Sequence, residues 1–224
     1  MDKFVLIDPY RALVSEKADV SEYMTESIRN IYGISLSADF EKYEGIGIRQ
    51  TVTSLLRENG LDDDEINTKL DRYMEDLQYS YNNVMGGGAL LISPGSKEFL
   101  ETLKQEGVIL GIATGEARSI TDARLKKAGL GKLFDFEMCG DSILDLGEII
   151  DMAIRTAHTD FDIGDTKGAV MASSPAVMRA SRDKYLFKVG VPGIHSASDL
   201  KRAGADIILN GFNDSSGIIR LLNK

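Results

Sequence analysis

Residues 4–15 read FVLIDPYRALVS: four apolar residues in a row, then an aspartate, a proline and a tyrosine. A strand that is apolar without alternation is buried on both faces, the habit of a parallel sheet covered by helices. Four later runs have the same character: Val108–Ala113, Ala169–Ala172, Leu186–Val191 and Ile207–Leu209. Helical text sits between them at Gly95–Glu106, Ser119–Ala128, Glu148–Ala157, Ala176–Ser181 and Ala197–Ala203. The alternation predicts an α/β fold, a doubly wound parallel sheet of Rossmann-like type. Ligands of such folds bind beyond the carboxyl ends of the strands.

One block breaks the alternation. From Ala18 to Val84 the text holds no strand-like run, only amphipathic helical stretches: SEYMTESIRNIYG, IRQTVTSLLRENG and DDEINTKLDRYMEDLQYSYNNV. Asp62, Asp63 and Asp64 are candidate caps for the last of these. Leu55, Leu56, Ile66, Leu70, Tyr73 and Leu77 recur at helical spacing and predict the core of a small bundle. Gly86, Gly87 and Gly88 predict an exit hinge. The expected division is an α/β core from residues 1–16 and 87–224, with an inserted all-helical cap over 17–86.

The bulk numbers narrow the function. At 224 residues and 43% hydrophobic content, the chain can bury one α/β core plus an insert. A formal net charge of −9 argues against nucleic acid or an anionic membrane surface as partner. A single cysteine, Cys139, allows no intrachain disulfide, and with two histidines it makes a zinc cluster an unattractive reading. The opening MDKFVLID is charged too early for a signal peptide, so the expectation is a cytoplasmic protein. His158 and His195 read as hydrogen-bonded loop or helix-end residues. Oligomeric state is not legible.

Four stretches stand out, three with polar residues at strand ends and one just before the helix that begins near Glu148. They are FVLIDPYRALVS with Asp8, VILGIATGEARS with Thr114 and Gly115, FDFEMCGDSILDLGEIIDMAIRTA, and GAVMASSPAVMRAS with Ser173. With the helical insert after the first strand and the closing text GIHSASDLKRAGADIIL, their order resembles the phosphoglycolate phosphatase branch of the haloacid dehalogenase superfamily. The resemblance covers essentially the whole chain. It implies a phosphoric monoester hydrolase using Mg²⁺ on a small phosphorylated molecule.

That resemblance also shows what has changed. It puts Asp8 at the position of the nucleophile, which would form an aspartyl-phosphate. Two residues later the family uses an aspartate as general acid and base; here stands Tyr10, whose ordinary pKa lies near 10. Pro9 withdraws an N–H from the phosphate loop, and Arg11 and Ala12 replace the family's Gly-Thr. Thr114 and Gly115 match the phosphoryl-binding position. The family's lysine has no counterpart, since neither lysine nor arginine occurs between Lys132 and Arg155. The fourth stretch aligns the metal-binding acids with Ser173 and Val177, leaving Asp8 and Ser173 as the remaining metal position. Gly164-Asp165 imitates the motif but lies too far upstream of the next strand.

Three readings follow. The first is a catalytically impaired or inactive relative that keeps the fold and a small phosphorylated ligand. The second is an active phosphatase through Asp8, with Asp165 and Lys167 recruited. The third is a protein-interaction module, which calls for a contiguous exposed apolar patch.

Overall fold

The computed structural model describes residues 3–16, 20–43, 45–85, 90–141, 145–164, 168–213 and 215–223. Six parallel strands form the main sheet in the order β5-β4-β1-β6-β7-β8. They are β1 (Lys3–Ile7), β4 (Val108–Ala113), β5 (Phe136–Met138), β6 (Gly168–Ala172), β7 (Leu186–Gly190) and β8 (Ile207–Ile208). The helices around it are α4 (Ser96–Gln105), α5 (Arg118–Ala128), α6 (Leu146–Asp160), α7 (Pro175–Ala180), α8 (Ala197–Ala203) and α9 (Ser216–Leu222).

The reason for unbroken apolar strands is visible in β1. Val5 and Ile7 belong to the core on one face of the sheet, Phe4 and Leu6 to the core on the other. Strand β6 divides its residues in the same way, Ala169 and Met171 to one side, Val170 and Ala172 to the other. Each strand is therefore wetted on neither face, and apolar burial of this kind contributes roughly 25 cal/mol per Å².

The helical insert comprises α1 (Val20–Tyr32), α2 (Ile48–Glu58) and α3 (Asp63–Met85). All six predicted core positions, from Leu55 to Leu77, are buried in its own apolar cluster. Asp62 caps α3, accepting from the Glu65 N–H at 2.8 Å. The Tyr32 hydroxyl donates to the Ile66 carbonyl at 3.0 Å and ties α1 to α3.

Three strands and helix α9 went unforeseen. Strands β2 (Val14–Glu16) and β3 (Leu90–Ile92) pair antiparallel, forming a short ribbon that leads into and out of the insert. At three residues each they carry no legible periodicity. Strand β5 is also three residues long and half-buried, with Glu137 at its centre. The hinge expected at Gly86–Gly88 lies outside the described residues.

Helix α2 docks directly on the carboxyl edge of the sheet. The Ile48 N–H donates to the Gly115 carbonyl at 2.7 Å, and the Arg49 N–H to the Gly140 carbonyl at 3.3 Å. The approach is close enough that a Cβ on Gly140 would stand 2.0 Å from the Gly115 carbonyl oxygen. Nearby, the Leu146 N–H donates to the Gly45 carbonyl at 3.2 Å.

Candidate active site

Strands β1, β4 and β6 are neighbours, so the residues that follow them converge. Asp8 leaves β1 with its N–H on the Met171 carbonyl at 3.0 Å. Thr114 leaves β4 with its N–H on the Met138 carbonyl, also at 3.0 Å. The two side chains meet: Thr114 Oγ1 donates to Asp8 Oδ1 at 2.9 Å. Of the residues singled out from sequence, this pair is joined directly.

The Asp8 carboxyl holds its proton up to about 7, against an ordinary 3.8. Burial is the first cause and the nearby Glu116 charge the second, opposed by the hydrogen bonds from Thr114 and the Tyr10 backbone and by Arg124.

The loop after Asp8 turns tightly without a glycine. The Pro9 carbonyl accepts from Leu13 N–H at 2.9 Å and Val14 N–H at 3.1 Å. Arg11 takes the left-handed conformation, φ 63°, where the family has glycine. The Tyr10 ring is flanked by cations, with the Arg124 guanidinium 4.3 Å and the Arg11 guanidinium 5.1 Å from its centroid. Burial first, and then Glu116, push the Tyr10 hydroxyl above its ordinary 10.

Arg124 is the residue that sequence reasoning missed. It is 1% exposed, though it sits on a helix. Its Nε and one terminal nitrogen donate to Glu16 Oε2 at 3.1 and 3.0 Å, and the other terminal nitrogen donates to both Glu116 oxygens. The Tyr81 hydroxyl of α3 donates to the other oxygen of Glu16. One buried guanidinium thus joins α5, the β2 strand, helix α3 and the Tyr10 loop. The signal was the spacing: Ile120, Thr121, Arg124 and Leu125 are all buried on one stripe of α5.

Ser173 follows β6 and is 2% exposed, with no hydrogen bond on its Oγ among the described residues. Its neighbour is Gly193, whose Cβ, if present, would stand 2.9 Å from that oxygen. Val177 is buried in the apolar core. Lys126 and Lys127 are exposed. Asp165 and Lys167, the candidates for recruitment, lie outside the described residues. His158 ends a helix against the Ile163 carbonyl at 2.8 Å, a structural role.

A cavity of about 230 Å³ lies between the insert and the sheet edge. Asp8, Tyr10, Thr114, Gly115 and Glu116 line it from the sheet side, with Ser174, Ala176 and Val177. Tyr23, Met24, Phe40, Tyr43, Ile48 and Leu77 line it from the insert. Among the described residues no lysine or arginine reaches the wall. Glu116 on that wall is already paired with the buried Arg124, which leaves that guanidinium committed.

The resemblance implies Mg²⁺, and the donor set can be tested against it. Mg²⁺ takes an octahedron of oxygens from one or two carboxylates, substrate phosphate and water. Here Asp8 offers one carboxyl and Ser173 a neutral hydroxyl. Among the described residues no group of three or more His, Cys, Asp or Glu is placed to hold a metal. Asp8 and Ser173 by themselves do not reproduce the family's two-acid donor set.

Sheet order, helical insert and Asp8 beside Thr114 together define a phosphatase-like architecture. Residues 10–162 match the sequence model of the haloacid dehalogenase-like hydrolases, and the chain belongs to that family. It is 29% identical over 142 residues to a protein of Dickeya dadantii named "Probable phosphatase IndB"; the matched part is 60% of this chain and spans 58% of that relative's length. Among solved structures it resembles a mutant of CbbY from Rhodobacter sphaeroides bound to xylulose-1,5-bisphosphate, with a TM-score of 0.72 at 19% identity over 96% of both chains. It also resembles a β-phosphoglucomutase of Clostridium difficile, TM-score 0.71 at 18% identity, over 100% of this chain and 98% of that one. Among the described residues no helix is long and apolar enough to cross a membrane.

Proposed function

We propose that this chain keeps the fold and the ligand cavity of a haloacid dehalogenase-type phosphatase while its phosphoryl-transfer chemistry is lost or strongly reduced. The observation that carries the reading is the chemistry around Asp8: a tyrosine in the acid position, Ser173 and Val177 in place of the metal-binding acids, and no lysine or arginine on the cavity wall among the described residues. Phosphoryl transfer depends on positioning and on neutralising charge, so a site without those groups loses the largest contributions. A misplaced general acid alone costs roughly 10²–10⁴-fold. CbbY binds a phosphorylated sugar, and a small phosphorylated molecule is the ligand class that kinship suggests; among the described residues the wall of this cavity supplies no lysine or arginine to pair with its charge. The large exposed apolar side chains, among them Tyr79, Leu91, Ile92 and Ile194, sit on separate elements except for one adjacent pair, which supports a ligand reading over a docking surface.

The test is hydrolysis of p-nitrophenyl phosphate by purified protein with and without Mg²⁺. The expected rate is indistinguishable between the native chain and Asp8→Asn. Turnover at rates ordinary for the superfamily, abolished by Asp8→Asn, overturns the proposal.

A further inference from the structure

The cavity's lining is unusual for a site meant to receive a phosphate, and it is unusual in one direction. Two carboxyl side chains, Asp8 and Glu116, stand on its wall, and a third, Glu16, lies directly behind through Arg124. The guanidiniums nearby are already engaged. Arg124 is buried and divided between Glu16 and Glu116, with Tyr10 over its face, and Arg11 packs against the same Tyr10 ring. Neither lines the cavity. Three carboxyls against two guanidiniums leave the site electronegative whenever Asp8 is ionised.

On the insert side, backbone donors are already engaged. The first amides of α2, which begin beside the cavity, are donated to the Gly115 and Gly140 carbonyls. The Gly115 loop therefore turns a carbonyl toward the insert. The remaining wall is aromatic and aliphatic: Tyr23, Phe40 and Tyr43 together with Ile48 and Ile120. Aromatic rings beside carboxylates are the surroundings that recognise organic cations, through the ring quadrupole and direct charge pairing.

We infer that the cavity binds a small organic cation, an ammonium or amidinium carried on an apolar body, with its charged head toward Asp8 and Glu116 and its body among Tyr23, Phe40 and Tyr43. The inference rests on the absence of phosphoryl transfer proposed above, and it names the ligand class of that same cavity. Specificity of this kind comes as much from what the site repels as from what it attracts. A phosphate monoester of the same shape meets two carboxyls and, among the described residues, no lysine or arginine on the wall.

Three probes sharing one body test it: 2-phenylethylammonium, 2-phenylethanol and 2-phenylethyl phosphate, titrated into the intact chain at pH 8 by calorimetry. The ammonium should bind at least tenfold tighter than the phosphate, with the alcohol between them. Ile48→Trp, which fills the cavity from the α2 side, should abolish ammonium binding. Asp8→Asn should shrink the preference for ammonium over alcohol at pH 8 without unfolding the chain. Phosphate binding tighter than ammonium overturns the inference. So does an absence of ammonium binding to the native chain, and so does binding that survives Ile48→Trp. These results are separable from the hydrolysis assay, because a silent enzyme that prefers the phosphate probe sinks this inference alone.

Discussion

Replacing Asp8 by Asn should make the protein more stable near and above neutral pH, and the size of the gain can be worked out. The folded carboxyl keeps its proton to about 7, whereas an unfolded one releases it near 3.8. Between those values the folded state holds the extra proton, so native stability is full below about pH 4 and declines until about pH 7. Three pH units at about 1.4 kcal/mol each give about 4 kcal/mol as the upper bound. Asp8 stands on a cavity wall, and water there screens part of the cost, bringing the expected gain nearer 2–4 kcal/mol. Asparagine has the volume of the protonated acid and can accept the Thr114 hydroxyl through its carbonyl. Urea unfolding at pH 8 should therefore show Asp8→Asn more stable by about 2–4 kcal/mol, and at pH 4 by less than about 1 kcal/mol. Thr114→Val removes the donor and should cost more at pH 8 than at pH 4. A variant less stable than the native chain at pH 8, or a gain equal at both pH values, would refute the reasoning.

Truncating the buried cation is expected to act in the opposite sense. Arg124→Ala leaves Glu16 and Glu116 facing one another without a counterion and should cost about 3–5 kcal/mol by chemical denaturation. The triple change Glu16→Gln, Arg124→Met, Glu116→Gln should recover more than half of that loss; a triple variant as unstable as the single one argues against charge as the cause. At the Asp8 loop, Arg11→Gly should be more stable than Arg11→Ala by about 1 kcal/mol, because only glycine relieves the left-handed backbone. Equal stabilities would show that the turn is not strained. Gly140→Ala should destabilise by more than about 2 kcal/mol, since its Cβ would press on the Gly115 backbone. An unchanged melting temperature would mean that α2 can lift away at little cost.

Much of the core was legible because its strands answer to one rule. A residue pattern such as Phe4–Ile7 is apolar on both faces, as a strand buried between two helical layers requires. The insert was legible for the same reason, its apolar positions recurring at helical spacing over long stretches. The short strands β2, β3 and β5 escaped, since three residues cannot display a period and Glu137 interrupts one of them. At the site, Asp8 and Thr114 could be paired from their places at strand ends. The ring of Glu16, Glu116, Arg124 and Tyr81 could not, because it is assembled from residues 108 positions apart and each looks like an ordinary surface side chain. Only the position of Arg124 on the buried stripe of its helix hinted otherwise.

The seat of Arg124 exists only while both halves of the molecule are folded. Its carboxylates come from the ribbon and from the sheet edge, and its outer wall from helix α3. Melting the helical insert alone would strip away the Tyr81 wall and open the guanidinium and its carboxylates to water, and melting the sheet alone would strand Glu16 beneath Tyr81. Amide protons in α1 and α3 should therefore exchange with the protection of the central strands, so that a two-part chain loses its structure in one step.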